Sequence, residues 1–156
     1  MGSGLSPVVN PQGTIVAVEV AAENKAQSPS GVVVLGRSGQ VLGAAPIIGG
    51  GSTVMSWSTA GTSLAFVSAG ASGTELVQWK IGAKAMVRTP FPTRYLAGQC
   101  VWAPYNSAVL CGAFNLLSRN HSLGTPTESW VVFASGRAHV LRERGLVLAW
   151  LSGHLK

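Results

Sequence analysis

One pattern recurs along the chain: an apolar strand, a tight turn and a second apolar strand. It is carried first by Pro7-Val8-Val9-Asn10-Pro11-Gln12-Gly13-Thr14-Ile15-Val16-Ala17-Val18 and then by Met55-Ser56-Trp57-Ser58-Thr59-Ala60-Gly61-Thr62-Ser63-Leu64-Ala65-Phe66. The third copy is Cys100-Val101-Trp102-Ala103-Pro104-Tyr105-Asn106-Ser107-Ala108-Val109-Leu110-Cys111, and a fourth begins at Trp150-Leu151-Ser152-Gly153. Val9, Trp57, Trp102 and Trp150 mark the register, at spacings of 48, 45 and 48 residues. A period of this size means that each repeat is one supersecondary unit, able to bury its apolar face only against a neighbour.

Turn chemistry supports the hairpins. Asn10-Pro11-Gln12-Gly13 has proline second and glycine fourth, as a type I turn prefers. Ala103-Pro104-Tyr105-Asn106 keeps the proline and puts asparagine, which tolerates the left-handed region, in place of the glycine. A second hairpin completes each unit. Gly31-Val32-Val33-Val34-Leu35 leads through Gly36-Arg37-Ser38-Gly39 into Gln40-Val41-Leu42. Glu75-Leu76-Val77-Gln78-Trp79 leads past Gly82 into Ala85-Met86-Val87, and Trp130-Val131-Val132-Phe133 leads past Ser135-Gly136 into Ala138-His139-Val140-Leu141. Four short strands every ~45 residues predict an all-β chain of four-stranded antiparallel β-propeller blades. A β-sandwich of short strands does not predict this period. The expected organisation is one partial propeller over residues 1–156, with blades near 6–49, 53–96 and 97–145 and a truncated fourth from 146. Its open ends call for a continuing chain or a second copy, because unpaired apolar edges invite aggregation. The incomplete last blade, from about Leu146, is expected to fray.

Composition narrows the function. Of 156 residues, 47% are hydrophobic and only 10% charged, against roughly 25% in an average domain. Disorder is excluded as the main state. No apolar run approaches the roughly 18 residues of a membrane helix, so no membrane association is expected. Met1 to Pro11 lacks the basic start and apolar block of a signal peptide, and two cysteines fit a reducing compartment, so a cytoplasmic location is expected. There is no aspartate, and the five glutamates (Glu19, Glu23, Glu75, Glu128 and Glu143) are scattered. Paired-carboxylate catalysis is therefore not expected.

Several residues invite a chemical reading. His121, His139, Cys100 and Cys111 match no zinc-ligand spacing, and neither a metal nor a cofactor is expected. Cys100 and Cys111 flank a turn that, counted as four residues, pairs Cys100 with Val109 or Leu110; free thiols are expected. Trp57, Trp102 and Trp150 fall at blade period and read as core or interblade packing, with Trp79 and Trp130 on third strands. Asn120-His121-Ser122 forms a sequon by chance, and Gly49-Gly50-Gly51 lacks phosphate-loop spacing.

The formal net charge is +6. In a propeller the strand two-to-three loops and the interblade connections share one face. Lys25, Arg88, Arg94, Arg119, Arg142 and Arg144 are expected there, opposed by Glu23 and Glu143. Arg88-Thr89-Pro90-Phe91-Pro92-Thr93-Arg94-Tyr95 sets aromatics among the cations. Such a mixture can grip a carboxylate, an acidic peptide or a phosphate backbone. The alternative is a solvated basic rim, since apolar strands leave charges only the turns.

Gly98-Gln99-Cys100-Val101-Trp102-Ala103-Pro104, Met55-Ser56-Trp57-Ser58 with Leu64-Ala65-Phe66-Val67-Ser68, and Ser28-Pro29-Ser30-Gly31 before an apolar strand resemble the N-terminal propeller of acylaminoacyl-peptidases, in the prolyl oligopeptidase family of serine peptidases. The resemblance implies a non-catalytic propeller that covers a hydrolase active site and filters substrates by size. It also implies an α/β-hydrolase domain, in the same or a neighbouring chain, as partner, and peptides as substrates. No catalytic residue carries over. Gly36-Arg37-Ser38-Gly39 and Gly70-Ala71-Ser72-Gly73 misplace the second glycine of a nucleophile elbow, and without aspartate no triad of the family's type can form. A free-standing scaffold that binds a protein or acidic peptide, and that forms homo-oligomers, is the second reading. Nucleic-acid binding rests on charge alone, and no nucleic-acid partner is expected.

Overall fold

The computed structural model describes residues 3–21, 30–47, 55–70, 73–115 and 128–141. These residues form twelve strands and no helix. β1 (Ser3–Val9), β2 (Ile15–Ala21), β3 (Ser30–Gly36) and β4 (Val41–Ile47) make the first sheet. β5 (Ser56–Trp57), β6 (Ser63–Gly70), β7 (Gly73–Lys80) and β8 (Val87–Pro90) make the second. β9 (Tyr95–Trp102), β10 (Ala108–Asn115), β11 (Glu128–Phe133) and β12 (Ala138–Leu141) make the third. Each sheet is an antiparallel meander in chain order. The first strands β1, β5 and β9 touch in succession, so the sheets stand around a common axis as propeller blades.

The first-hairpin turns are built alike. Gly13, Gly61 and Asn106 donate their amides to Asn10, Ser58 and Ala103 at 2.9, 2.8 and 3.0 Å. All three have positive φ, 68°, 65° and 58°, so the glycine and asparagine positions are set by left-handed backbone. One strand boundary differs from expectation. The outer strand of the second blade is Val87–Pro90, not Ala85 to Val87. Proline is tolerated there because an outer strand need not donate on its free side.

Alternation along each strand builds two interblade cores. Leu64, Phe66, Val77 and Trp79 turn toward the first blade and join Ala17, Val32, Val34, Ala45 and Ile47. Their neighbours Ala65 and Leu76 turn the other way, toward Phe91, Tyr95, Trp102, Val109 and Val132. The second blade is therefore apolar on both faces. Trp79 lies flat over Gly43 of β4, where a Cβ would meet its ring carbons at 2.6 and 2.9 Å.

Candidate functional site

The periodic tryptophans do more than fill space. The Trp57 indole N–H donates to the Val8 carbonyl of the preceding blade at 2.9 Å, and the Trp102 indole repeats this toward Ser56 at 3.0 Å. Both rings are buried, as the repeat predicts; Trp150 lies outside the described residues. Trp79 and Trp130 occupy third strands as expected, and their ring nitrogens are buried without a hydrogen-bond partner among the described residues.

The expected basic face is only partly assembled by described residues. Lys25, Arg119, Arg142 and Arg144, like His121, Glu23 and Glu143, lie outside them. Arg88 is not in a loop: it sits on β8 and forms an ion pair with Glu75 of β7. Arg94 is exposed in the connection between the second and third blades, its guanidinium carbon 5.0 Å above the Tyr95 ring. The aromatics of this segment point inward. Phe91 and Tyr95 are buried and meet the Trp130 ring edge-on at 5.3 and 5.6 Å. The Tyr95 hydroxyl donates to Glu128 Oε1 at 2.7 Å. That bond, followed by burial and the Glu128 charge, raises the Tyr95 pKa above its ordinary value, while Arg94 opposes the rise. Tyr95 thus seals the blade junction, and the described part of the expected patch is Arg94 alone with Arg88 held by Glu75.

The two cysteines correct the sequence expectation. Cys100 lies directly opposite Cys111 on β9 and β10, and the two form a disulfide. Trp102 pairs with Val109 and the Ala103 amide reaches the Ala108 carbonyl. The left-handed Asn106 and the following Ser107 lengthen the connection, which moves the register from Val109 or Leu110 to Cys111. Both sulfurs are buried, and neither cysteine is a metal ligand.

A cleft of about 210 Å³ lies between the second and third blades, lined by Gln78, Lys80, Val87, Trp102, Asn106 and Ala134. These residues sit at the turn end of the strands, opposite the interblade connections where a basic face was expected. Gln78 is buried and donates to the Phe133 carbonyl at 3.1 Å, while its Oε1 has no partner among the described residues. The signal in the sequence was a glutamine inside Leu76-Val77-Gln78-Trp79, polar where its neighbours are core.

Sheets, turns and interblade cores together define an all-β chain of propeller blades. No family model and no curated protein matches the sequence. Among solved structures the chain is similar to prolyl oligopeptidase B from Galerina marginata, with 10% identity, a TM-score of 0.68, and 92% of this chain and 22% of that chain covered. It is also similar to an acylaminoacyl peptidase bound to a chloromethyl ketone (11% identity, TM-score 0.60, 89% and 25% covered). TolB from Acinetobacter baumannii aligns at 18% identity and TM-score 0.61, with 90% and 32% covered. The neighbours therefore include the propeller regions of prolyl oligopeptidase-type enzymes, at low identity. The chain spans a fifth to a third of the length of these three proteins. No helix among the described residues is long and apolar enough to cross a membrane.

Proposed function

We propose that this chain is the non-catalytic propeller portion of an acylaminoacyl-peptidase-like serine peptidase, covering a hydrolase active site and admitting substrates by size. The observation that supports the reading is the sequential run of four-stranded blades, which aligns with prolyl oligopeptidase B over 92% of the chain. The partner is then an α/β-hydrolase domain in the same or a neighbouring chain, and the substrates are peptides. We place the protein in the cytoplasm; thiol titration of protein isolated under acid quench tests this, because cytosolic reductants keep most thiols reduced. Reading the coding sequence beyond Lys156 tests the peptidase assignment. A hydrolase domain with a nucleophile elbow, there or in an adjacent gene, is expected, and its absence from both refutes the reading.

A second reading, a free-standing scaffold that binds a protein or acidic peptide beside Arg88, Arg94, Arg119, Arg142 and Arg144, has support of its own. Neighbours that are not named peptidases, the TolB proteins from Acinetobacter baumannii and Agrobacterium tumefaciens, align at 18% and 16% identity and over 32% and 43% of their chains. Retention of the chain on an immobilised polyglutamate column, lost on substituting Arg94 with glutamate, favours this reading.

A further inference from the structure

The repeat register assigns a partner to a face that nothing described covers. In the second blade, Trp57, Leu64, Phe66, Val77 and Trp79 form the rear face that packs on the blade before it. Counting back one period, Val9 takes the place of Trp57, and Val16 and Val18 take the places of Leu64 and Phe66. The strand pairs Val16 with Leu35 and Val18 with Val33 correspond to Leu64 with Trp79 and Phe66 with Val77. The first blade therefore carries a rear face of five aliphatic side chains in the same layout. Val9 is 55% exposed and the other four are half-buried, and none belongs to either core cluster.

The chain also carries the matching surface. A blade presents its forward face to the next blade, and in the second blade Ala65 holds part of it. One period on, Leu110 takes that place and pairs with Val131. Both are half-buried, and Phe133 beside them is 39% exposed. A surface and its complement at opposite ends of one chain make a head-to-tail contact, which closes into a ring when the rotation allows. Propellers close with roughly four to eight blades. Two copies of three sheets give six, within that range, and three copies give nine, outside it.

We propose that the rear face of the first blade, centred on Val18 and Val33, docks the forward face of the third blade of a second copy, so that the 156-residue chain closes as a dimer. This goes beyond the peptidase reading and rests on the blade register alone. The docked face differs from its internal counterparts in one respect. Valine at position 9 has no N–H to donate where Trp57 and Trp102 have one, so the intermolecular contact is apolar and reversible.

Sedimentation equilibrium of the chain should give twice its 16.0 kDa mass, dissociating on dilution. Val18→Lys should weaken association at least tenfold (a factor of ten is about 1.4 kcal/mol) while the far-ultraviolet β-sheet spectrum is retained. Tyr105→Lys, at an 81% exposed turn position, should leave the dimer unchanged. Val9→Trp adds the missing indole donor at an exposed site where folding is not at risk, and should tighten the dimer by about tenfold or more. A monomer at about 100 µM, where exposed apolar faces otherwise associate, overturns the proposal. So does a dimer that is indifferent to both Val18→Lys and Val9→Trp.

Discussion

The indole N–H of Trp102 donates to the backbone carbonyl of Ser56 at 3.0 Å, joining the first strand of the third blade to that of the second. Trp57 and Val8 repeat the contact one blade earlier at 2.9 Å. A side chain that reads its neighbour's backbone fixes the spacing of blades, whereas the cores on either side resist only separation. Trp102→Phe keeps an aromatic ring and removes the donor. It should cost about 1 kcal/mol in urea denaturation, against about 3–5 kcal/mol for Trp102→Ala. Equal losses for the two variants would show that the hydrogen bond contributes nothing beyond packing.

The disulfide closes a loop across a sequence separation of 11 residues. A loop of that length constrains the unfolded chain by about 2–3 kcal/mol. The Cys100→Ala, Cys111→Ala double variant should lose about that much stability. Because both sulfurs are buried, a bulky reductant should cleave the bond only as the chain unfolds. Rapid reduction under native conditions, followed by release of two titratable thiols, would contradict the buried placement.

Tyr95→Phe should destabilise by about 1–2 kcal/mol at neutral pH, since the lost bond goes to a carboxylate. Its pH dependence has a definite sign. The folded pKa of Tyr95 is raised above the ordinary 10.0, so the phenol's contribution is fully present below that pH and is lost as pH rises through the folded value. The stability difference between wild type and Tyr95→Phe should therefore shrink above about pH 10. A difference that is flat up to pH 11 would remove Glu128 as the cause.

Two glycines at equivalent turn positions should respond differently to alanine. A Cβ at Gly13 meets nothing within 4 Å, whereas one at Gly61 runs into the side chains of Gln12 and Asn10. Both have positive φ, so each substitution carries about 1–2 kcal/mol of backbone strain. Gly61→Ala should cost measurably more, because it also displaces Gln12 from the Thr59 carbonyl. Thermal melts giving equal shifts for the two variants would refute the added contact cost.

Local chemistry was legible where a few neighbouring residues decide the backbone. Gly13, Gly61 and Asn106 announced left-handed turn positions, and the tryptophans announced blades through their period. Long-range pairing was not legible. Tyr95 and Glu128 are 33 residues apart, and nothing in either neighbourhood marks the other as partner. Register failed at Cys100 and Cys111 because two residues after the turn shift every pair behind it. Arg88 was misplaced into a loop because Val87-Arg88-Thr89-Pro90 mixes polar residues with a proline, a composition that outer strands accept and turns also favour.

The direction of the indole contacts has a temporal meaning. In each one the acceptor precedes the donor in the chain, Val8 before Trp57 and Ser56 before Trp102. During synthesis, which delivers the N-terminal part first, every arriving tryptophan finds its carbonyl already made and already held in a sheet. No blade needs to wait for one not yet translated before its first strand can be seated. The ring is thus laid down in the order in which it is read, each finished blade serving as the template for the angle of the next.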